Sequence, residues 1–484
     1  MNPRRAAASC FVLIATLFSL AQPAPDVTED ARKLASEVLL GPSMDTLREL
    51  TDTFGGRLSG SPAYQHAADW AAAKFRSYGI AEVRLEPFTI PSGWQRGMAH
   101  AEMLLPLRRR PLHVESVGWA PSTPRAVKGQ VLLVGDISPD SIRSQASQIK
   151  DHFILLDTTK IFAEGRMQAL PALHASYGLF AEAGALAVLY PDRDANNIIN
   201  AHDAIWGARM SPLPIAQLGM EDSKLLGRLL EKSTVTMELD LENTVSGPQQ
   251  VNNVIAEIRG TEAPQEWILI GAHLDSWDFA TGAQDNGTGA ISVLEVARAI
   301  AALGKPPRRS IRFALWGGEE QGILGSYAYS QAHAAEMDKC VAVLNTDNGA
   351  GHPKGWKVEG RQDLKQAMTP LSKTLLTGLS GDDLSTETTY DTDHGPFMLM
   401  GVPALDLEVD MTHYMEIHHK VSDTLDKVDP LDFKGGAAIV AVTAWAIAQA
   451  PQPIAPHIDH TAVGEIIKKA GLTSLLEEVG VWKP

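Results

Sequence analysis

The chain has 484 residues, 44% hydrophobic and 21% charged, with a formal net charge of -16. That length suits two or more domains, each with a core of its own. The acidic balance excludes a nucleic-acid binder, because phosphate contacts need clustered Lys and Arg, and Arg108, Arg109 and Arg110 form only a short, isolated run.

Residues 1–21 read as a secretory signal. Arg4 and Arg5 make a basic start, residues 6–20 an apolar run too short to span a bilayer, and Ser19-Leu20-Ala21 a small-residue cleavage site. The mature chain is expected to be secreted or periplasmic. No other stretch is expected to span a membrane. Of the two cysteines, Cys10 lies in the signal and Cys340 remains alone, so no internal disulfide is expected.

Helical spacing is predicted over 26–40, from Met44 onward, and over 62–78, where Gly79 stops it. Between the second and third of these lies the glycine-rich loop Phe54-Gly-Gly-Arg57-Leu-Ser-Gly-Ser61. Residues 22–117 are read as the first segment of a catalytic domain, ending beyond a strand at 83–88. The texture changes over 118–246, with short strands near 127–135 and 153–157 and no chemical cluster; this is read as an inserted second domain. Strands alternating with helices resume over 247–450, at 253–258, 268–272, 311–316, 341–344 and 404–407, and a long apolar helix follows at 433–450. That alternation indicates an α/β fold with a mostly parallel central sheet flanked by helices. Residues 451–484 form a tail with one amphipathic helix.

The chain is organised around 268–290. An unbroken apolar strand hands over to a helix carrying Ile291, Leu294, Val296 and Ala299, and His273, Asp275 and Asp285 collect at the handover. In open α/β sheets, ligands gather at the carboxyl ends of strands. Later strands repeat the arrangement. Glu319 and Glu320 follow 311–316 across Gly317-Gly318, Asp347 follows 341–344, Asp393-His394 and Glu408 flank 404–407, and His418-His419 lie in the next loop ahead of Asp423. Imidazole nitrogen and carboxylate oxygen are zinc ligands, and two close metals need a carboxylate that bridges them. Singly, each residue has an ordinary reading: a buried hydrogen-bonded histidine, a helix cap at Asp285, a turn at Asp347, solvated acids at Glu319-Glu320, a surface pair at His418-His419. Their shared position after the strands of one sheet points to a metal site. A dinucleotide loop at Gly287-Thr-Gly289 is excluded, since the third glycine of that fingerprint falls on Ser292 and the nearby acids repel pyrophosphate. An extended chain after Gly317-Gly318 would aim Glu319 and Glu320 in opposite directions, and the glycines would let the backbone pass close to the metals.

The ordered set His273-Leu-Asp-Ser, Asp285-Asn-Gly-Thr-Gly, Trp316-Gly-Gly-Glu-Glu-Gln-Gly, Asn345-Thr-Asp347 and His419-Lys-Val-Ser-Asp-Thr resembles the motifs of the M28 family of dizinc exopeptidases. The Phe54 loop and the middle region resemble its carboxypeptidase Q branch, and the middle region looks like a protease-associated domain. The resemblance implies a zinc exopeptidase fold with two Zn(2+) per chain. It puts His273 and Asp347 on one zinc, Glu320 and His419 on the other, and Asp285 between them. Asp275 would orient His273, and Glu319 would take a proton from the metal-bridging water. His419 is taken over His418 for its spacing to Asp423, which matches the family's His-x-x-x-Asp-Thr. For polarising the scissile carbonyl, His418, Tyr390 and Tyr414 all remain open. Short peptides are the implied substrates, by aminopeptidase, dipeptidase or carboxypeptidase action, and the branch implies a homodimer. The rival readings are a non-catalytic binding module on the same fold and a one-zinc acyltransferase or cyclase; the intact set of ligands and base speaks against both.

Overall fold

The computed structural model describes residues 25–105 and 108–483, so the signal segment lies outside the described residues. Two eight-stranded sheets organise them. The first runs in spatial order Glu82–Ile90, Gln249–Ile258, Arg309–Trp316, Ala263–His273, Cys340–Asn345, Ala404–Val409, Pro353–Lys357, Asp383–Ser385. Its four central strands are parallel. Antiparallel pairings flank them on both sides.

The unbroken apolar run in Ala263–His273 reflects burial on both faces, as parallel strands between helices require. Ile268, Ile270 and Ala272 pack with the helices Thr288–Ala302 and Pro430–Gln449, while Trp267 and Leu269 pack with Trp316 and Phe397 on the opposite face. By length and composition Pro430–Gln449 could cross a membrane, where no span was expected from the sequence. Here it is a core helix, started by Pro430 and capped by the Asp429 carboxylate, which accepts from the Leu431 and Asp432 amides.

Register places the site. His273 pairs with Trp316 and Gly271 with Asn345, so three strands end on one edge. Arg309–Trp316 and Cys340–Asn345, the next two strands in sequence, lie on opposite sides of Ala263–His273. Strand order reverses there, and such a switch point opens a crevice at the carboxyl edge.

The second sheet holds Gly93–Leu105, Arg108–Pro111, Val114–Ser116, Val127–Val134, His152–Leu156, Ala187–Pro191, Ile215–Leu218 and Thr236–Ser246, over two apolar clusters of its own. It starts at Gly93, earlier than the boundary expected at 118, because Gly93–Leu105 pairs antiparallel with Thr236–Ser246. At the seam Trp119 lies between Trp94 (ring centroids 5.9 Å) and Trp277 of the first layer (6.4 Å). Arg96 pairs there with Asp278 at 3.0 Å. The tail forms two helices, His460–Lys469 and Thr473–Glu478, and packs Val463, Ile467, Leu476 and Trp482 against Met398 and Ala404.

Candidate metal centre

His273 ends its strand with a fully buried ring. Its Nε2 lies 3.1 Å from Asp347 Oδ1 and 3.4 Å from Asp285 Oδ1. The other oxygen of Asp285, Oδ2, lies 3.4 Å from His419 Nε2, and that nitrogen lies 3.1 Å from Glu320 Oε2. Asp285 therefore offers one oxygen to each of two imidazole–carboxylate corners. Ligands on a shared tetrahedral zinc, each bonded at about 2.0–2.2 Å, stand roughly 3.3 Å apart. The observed separations match, and Asp285 Oδ2 is buried with no hydrogen-bond partner among the described residues. The donor set fits two metal ions.

His418 also approaches Asp285 Oδ2, at 3.6 Å, and stacks on His419 with ring centroids 3.7 Å apart. His419 meets two carboxylates where His418 meets one. Tyr414 packs on His418 at 5.1 Å. Asp393 is buried: one of its oxygens accepts from the Ser326 hydroxyl and the other has no hydrogen-bond partner among the described residues. His394 faces Glu359 at 3.5 Å, and Glu408 stays in its strand.

Asp275 reaches His273 differently from the expectation. The His273 Nδ1 donates to the Asp275 carbonyl oxygen at 2.9 Å, while the carboxylate stands 3.6 Å away and accepts from the Glu319 amide at 3.3 Å. Asp275 thus ties the His273 strand end to the Glu319 segment. That segment is a turn rather than an extended chain, since the Gly322 and Ile323 amides both donate to the Glu319 carbonyl. Glu319 Oε2 still lies 3.8 Å from His273 while Glu320 turns to His419. The preceding glycines answer to packing from below. A Cβ on Gly317 would stand 2.3 Å from the Tyr64 hydroxyl, and Gly318 has φ +72° with its amide on Ser59 Oγ.

Three supports carried no assigned role in the sequence reading. Asp423 accepts from the Gln284 amide at 2.7 Å and the Asp285 amide at 3.0 Å, one on each oxygen, which orients the Asp285 segment. Arg57 is fully buried and donates to the carbonyls of Leu274, Gly55, Thr281 and Gly282, binding the two ends of the metal loop. Trp277 donates its amide to Glu320 Oε1 at 3.2 Å and sets its ring 6.0 Å from His419. The signals were the His-x-x-x-Asp spacing, a charged residue inside a glycine-rich loop, and a tryptophan two residues past Asp275.

Burial is the largest influence on Glu319, Glu320 and Asp347 and lifts all three carboxyls well above the ordinary range; nearby acids add to the lift and His273 opposes it. Burial works against charge on His273 too, yet Asp347 and Glu319 outweigh it and raise the imidazole. Burial likewise opposes ionisation of Asp285, but the bond with His273 and the fields of His418 and His419 hold it low. His418 is pushed down to about 3, by burial first and then by His419. So many buried acids around two imidazoles constitute a demand for positive charge.

The sequence profile of Peptidase family M28 matches residues 253–444. Carboxypeptidase Q from Bos taurus is 30% identical over 418 residues, covering 84% of this chain and 85% of the relative. A Peptidase M28 precursor from Shewanella amazonensis SB2B superposes with a TM-score of 0.76 at 28% identity, over 90% of this chain and 99% of that one. A zinc aminopeptidase from Bacillus subtilis shares the fold, with a TM-score of 0.65 at 19% identity, over 86% of this chain and 97% of that one. The chain belongs to peptidase family M28, resembles its carboxypeptidase Q members, and is a metallo-exopeptidase.

Proposed function

We propose that the chain is an exported two-zinc exopeptidase that removes terminal residues from short peptides or splits dipeptides, with Glu319 as the general base. One observation carries the reading: Asp285 turns Oδ1 to His273 and Oδ2 to His419, each corner completed by a second carboxylate. His273 and Asp347 would hold one zinc, Glu320 and His419 the other, and Asp285 both. When bound, the ions lower the pKa of water and polarise the scissile carbonyl.

The protein's own groups supply the rest. Glu319 Oε2 is held 3.8 Å from His273, with its amide anchored on Asp275, beside the ligand pairs without being one of them. From there it accepts the proton of the attacking water and returns it to the leaving amine. The segment 200–207 of the second layer bonds to both the turn that holds Glu319 and Glu320, at Gln321, and the His418–His419 loop, at His419. Export rests on residues 1–21.

A peptide-library digest followed by mass spectrometry tests the substrate class. Products shortened from one terminus are expected, and they identify which end is gripped; cleavage confined to the interior of long chains would contradict the reading. Glu319→Gln keeps the shape and removes the base. It should slow dipeptide hydrolysis by about a hundredfold or more with zinc retained, and a rate near that of the wild type would overturn the assignment.

A further inference from the structure

We infer that the second layer assembles one of the two metal corners: its connection over 192–207 holds Glu320 and His419 in register, so that occupancy of that corner depends on how the two layers dock. This rests on the two-zinc reading above.

Both ligand segments take a main-chain hydrogen bond from that one connection. The Ala201 amide donates to the His419 carbonyl at 2.8 Å, and the Gly207 amide donates to the Gln321 carbonyl, next to Glu320, at 2.7 Å. Asn200 and Lys420 form an antiparallel bridge at the same place. His419 has φ +62°, a left-handed backbone that a non-glycine residue keeps only when its surroundings over-determine it.

The side chains repeat the pattern. Lys420 Nζ pairs with Asp194 Oδ2 at 2.9 Å and also donates to the Glu416 carbonyl at 3.0 Å. Asn200 Nδ2 donates to Asp194 Oδ2 and to Asp192 Oδ1, both at 2.7 Å. Gln217, in the strand Ile215–Leu218, donates to Asp192 Oδ2 at 2.6 Å. A continuous polar path therefore runs from the second sheet to the residue after His419. By contrast, His273 and Asp347 leave adjacent strands of the first sheet, and their corner takes no main-chain bond from the 192–207 connection among the described contacts.

Loosening the connection should weaken one ion and spare the other. Two variants act by independent chemistry. Asp194→Ala removes the partner of Lys420 at a half-buried seam position, and Ala201→Pro removes the main-chain donor to His419. Zinc-loaded full-length protein is titrated with a chelator, zinc per chain is counted, and circular dichroism reports folding throughout. Each variant should release one zinc at a chelator concentration about tenfold or more below that for the wild type, in line with outer supports of metal ligands, while the second zinc leaves as in the wild type. Asp194→Glu should restore the wild-type release. Variants that release both ions as the wild type does, or weaken both equally, would overturn the inference and leave the two-zinc reading standing. A wild type that holds fewer than two ions would overturn the two-zinc reading itself, and this inference with it.

Discussion

The two corners of the proposed metal centre are built by different means. His273 and Asp347 stand at or just past the ends of neighbouring parallel strands, whose register and two-sided burial fix them. Glu320 and His419 sit in a turn and in the loop after the short helix Thr412–Ile417. A ligand on a strand end takes its position from the sheet. A ligand on a loop needs hydrogen bonds from elsewhere, and here they come from Trp277 and from the second layer. The catalytic sheet alone builds the first corner; the second needs the added layer.

The harshest way to break the comparison is to remove what the corners share. Asp285→Ala should cost both ions and lower peptidase activity by about a thousandfold or more, since metal-ion charge stabilisation is worth several kcal/mol. Metal analysis of the variant checks this; one retained ion would show that Asp285 serves only one corner. A milder test acts through Asp423, whose oxygens orient the Asp285 segment. Asp423→Asn turns one amide acceptor into a donor and should reduce metal affinity or activity about 10–100-fold, read by zinc competition and initial rates.

The smallest effect concerns pH and the connection that braces the second corner. His202 lies in the connection at the seam, and burial pushes its imidazole down to about 4, against a hydrogen bond to the Asp203 carbonyl that raises it. Folded protein therefore keeps His202 neutral where unfolded chain, at 6.5, takes up a proton, so this residue lowers stability as pH falls from about 6.5 to about 4. Burial pushes the Asp203 carboxyl up to about 7 from 3.8, which acts in the opposite direction over an overlapping window. His202→Gln should thus gain on the wild type by about 1–2 °C in melting temperature between pH 7 and pH 5, the shift expected for roughly 1–2 kcal/mol at about 2.1 cal/mol/K of unfolding entropy per residue. Asp203→Asn should change with the opposite sign. Parallel melting curves for wild type and His202→Gln would contradict the buried neutral imidazole.

How far the sequence foretold this follows from the same comparison. The strand-end residues were legible because apolar runs mark strands and chemistry collects where they stop. The resemblance added the choice of His419 over His418 and the separate roles of Glu319 and Glu320. The second layer's part in the site was hidden because it works through the main-chain amides of Ala201 and Gly207, which any residue but proline would supply. Gly93–Leu105 escaped notice for a related reason: Gly-Trp-Gln-Arg-Gly-Met-Ala-His-Ala-Glu-Met-Leu-Leu contains no β-branched residue, and its partner strand lies far along the chain. Arg57 was visible as a charge in a glycine-rich loop, but its bonds go to carbonyls more than two hundred residues away as well as to Gly55, and no local pattern signals those.

The most direct test of the shared carboxylate is anomalous diffraction at the zinc edge from crystals of the zinc-loaded protein. Two peaks about 3.5–4 Å apart are expected, one within bonding reach of Asp285 Oδ1 beside His273 and the other of Asp285 Oδ2 beside His419. A single peak at full occupancy, or two peaks of which Asp285 touches only one, would contradict it.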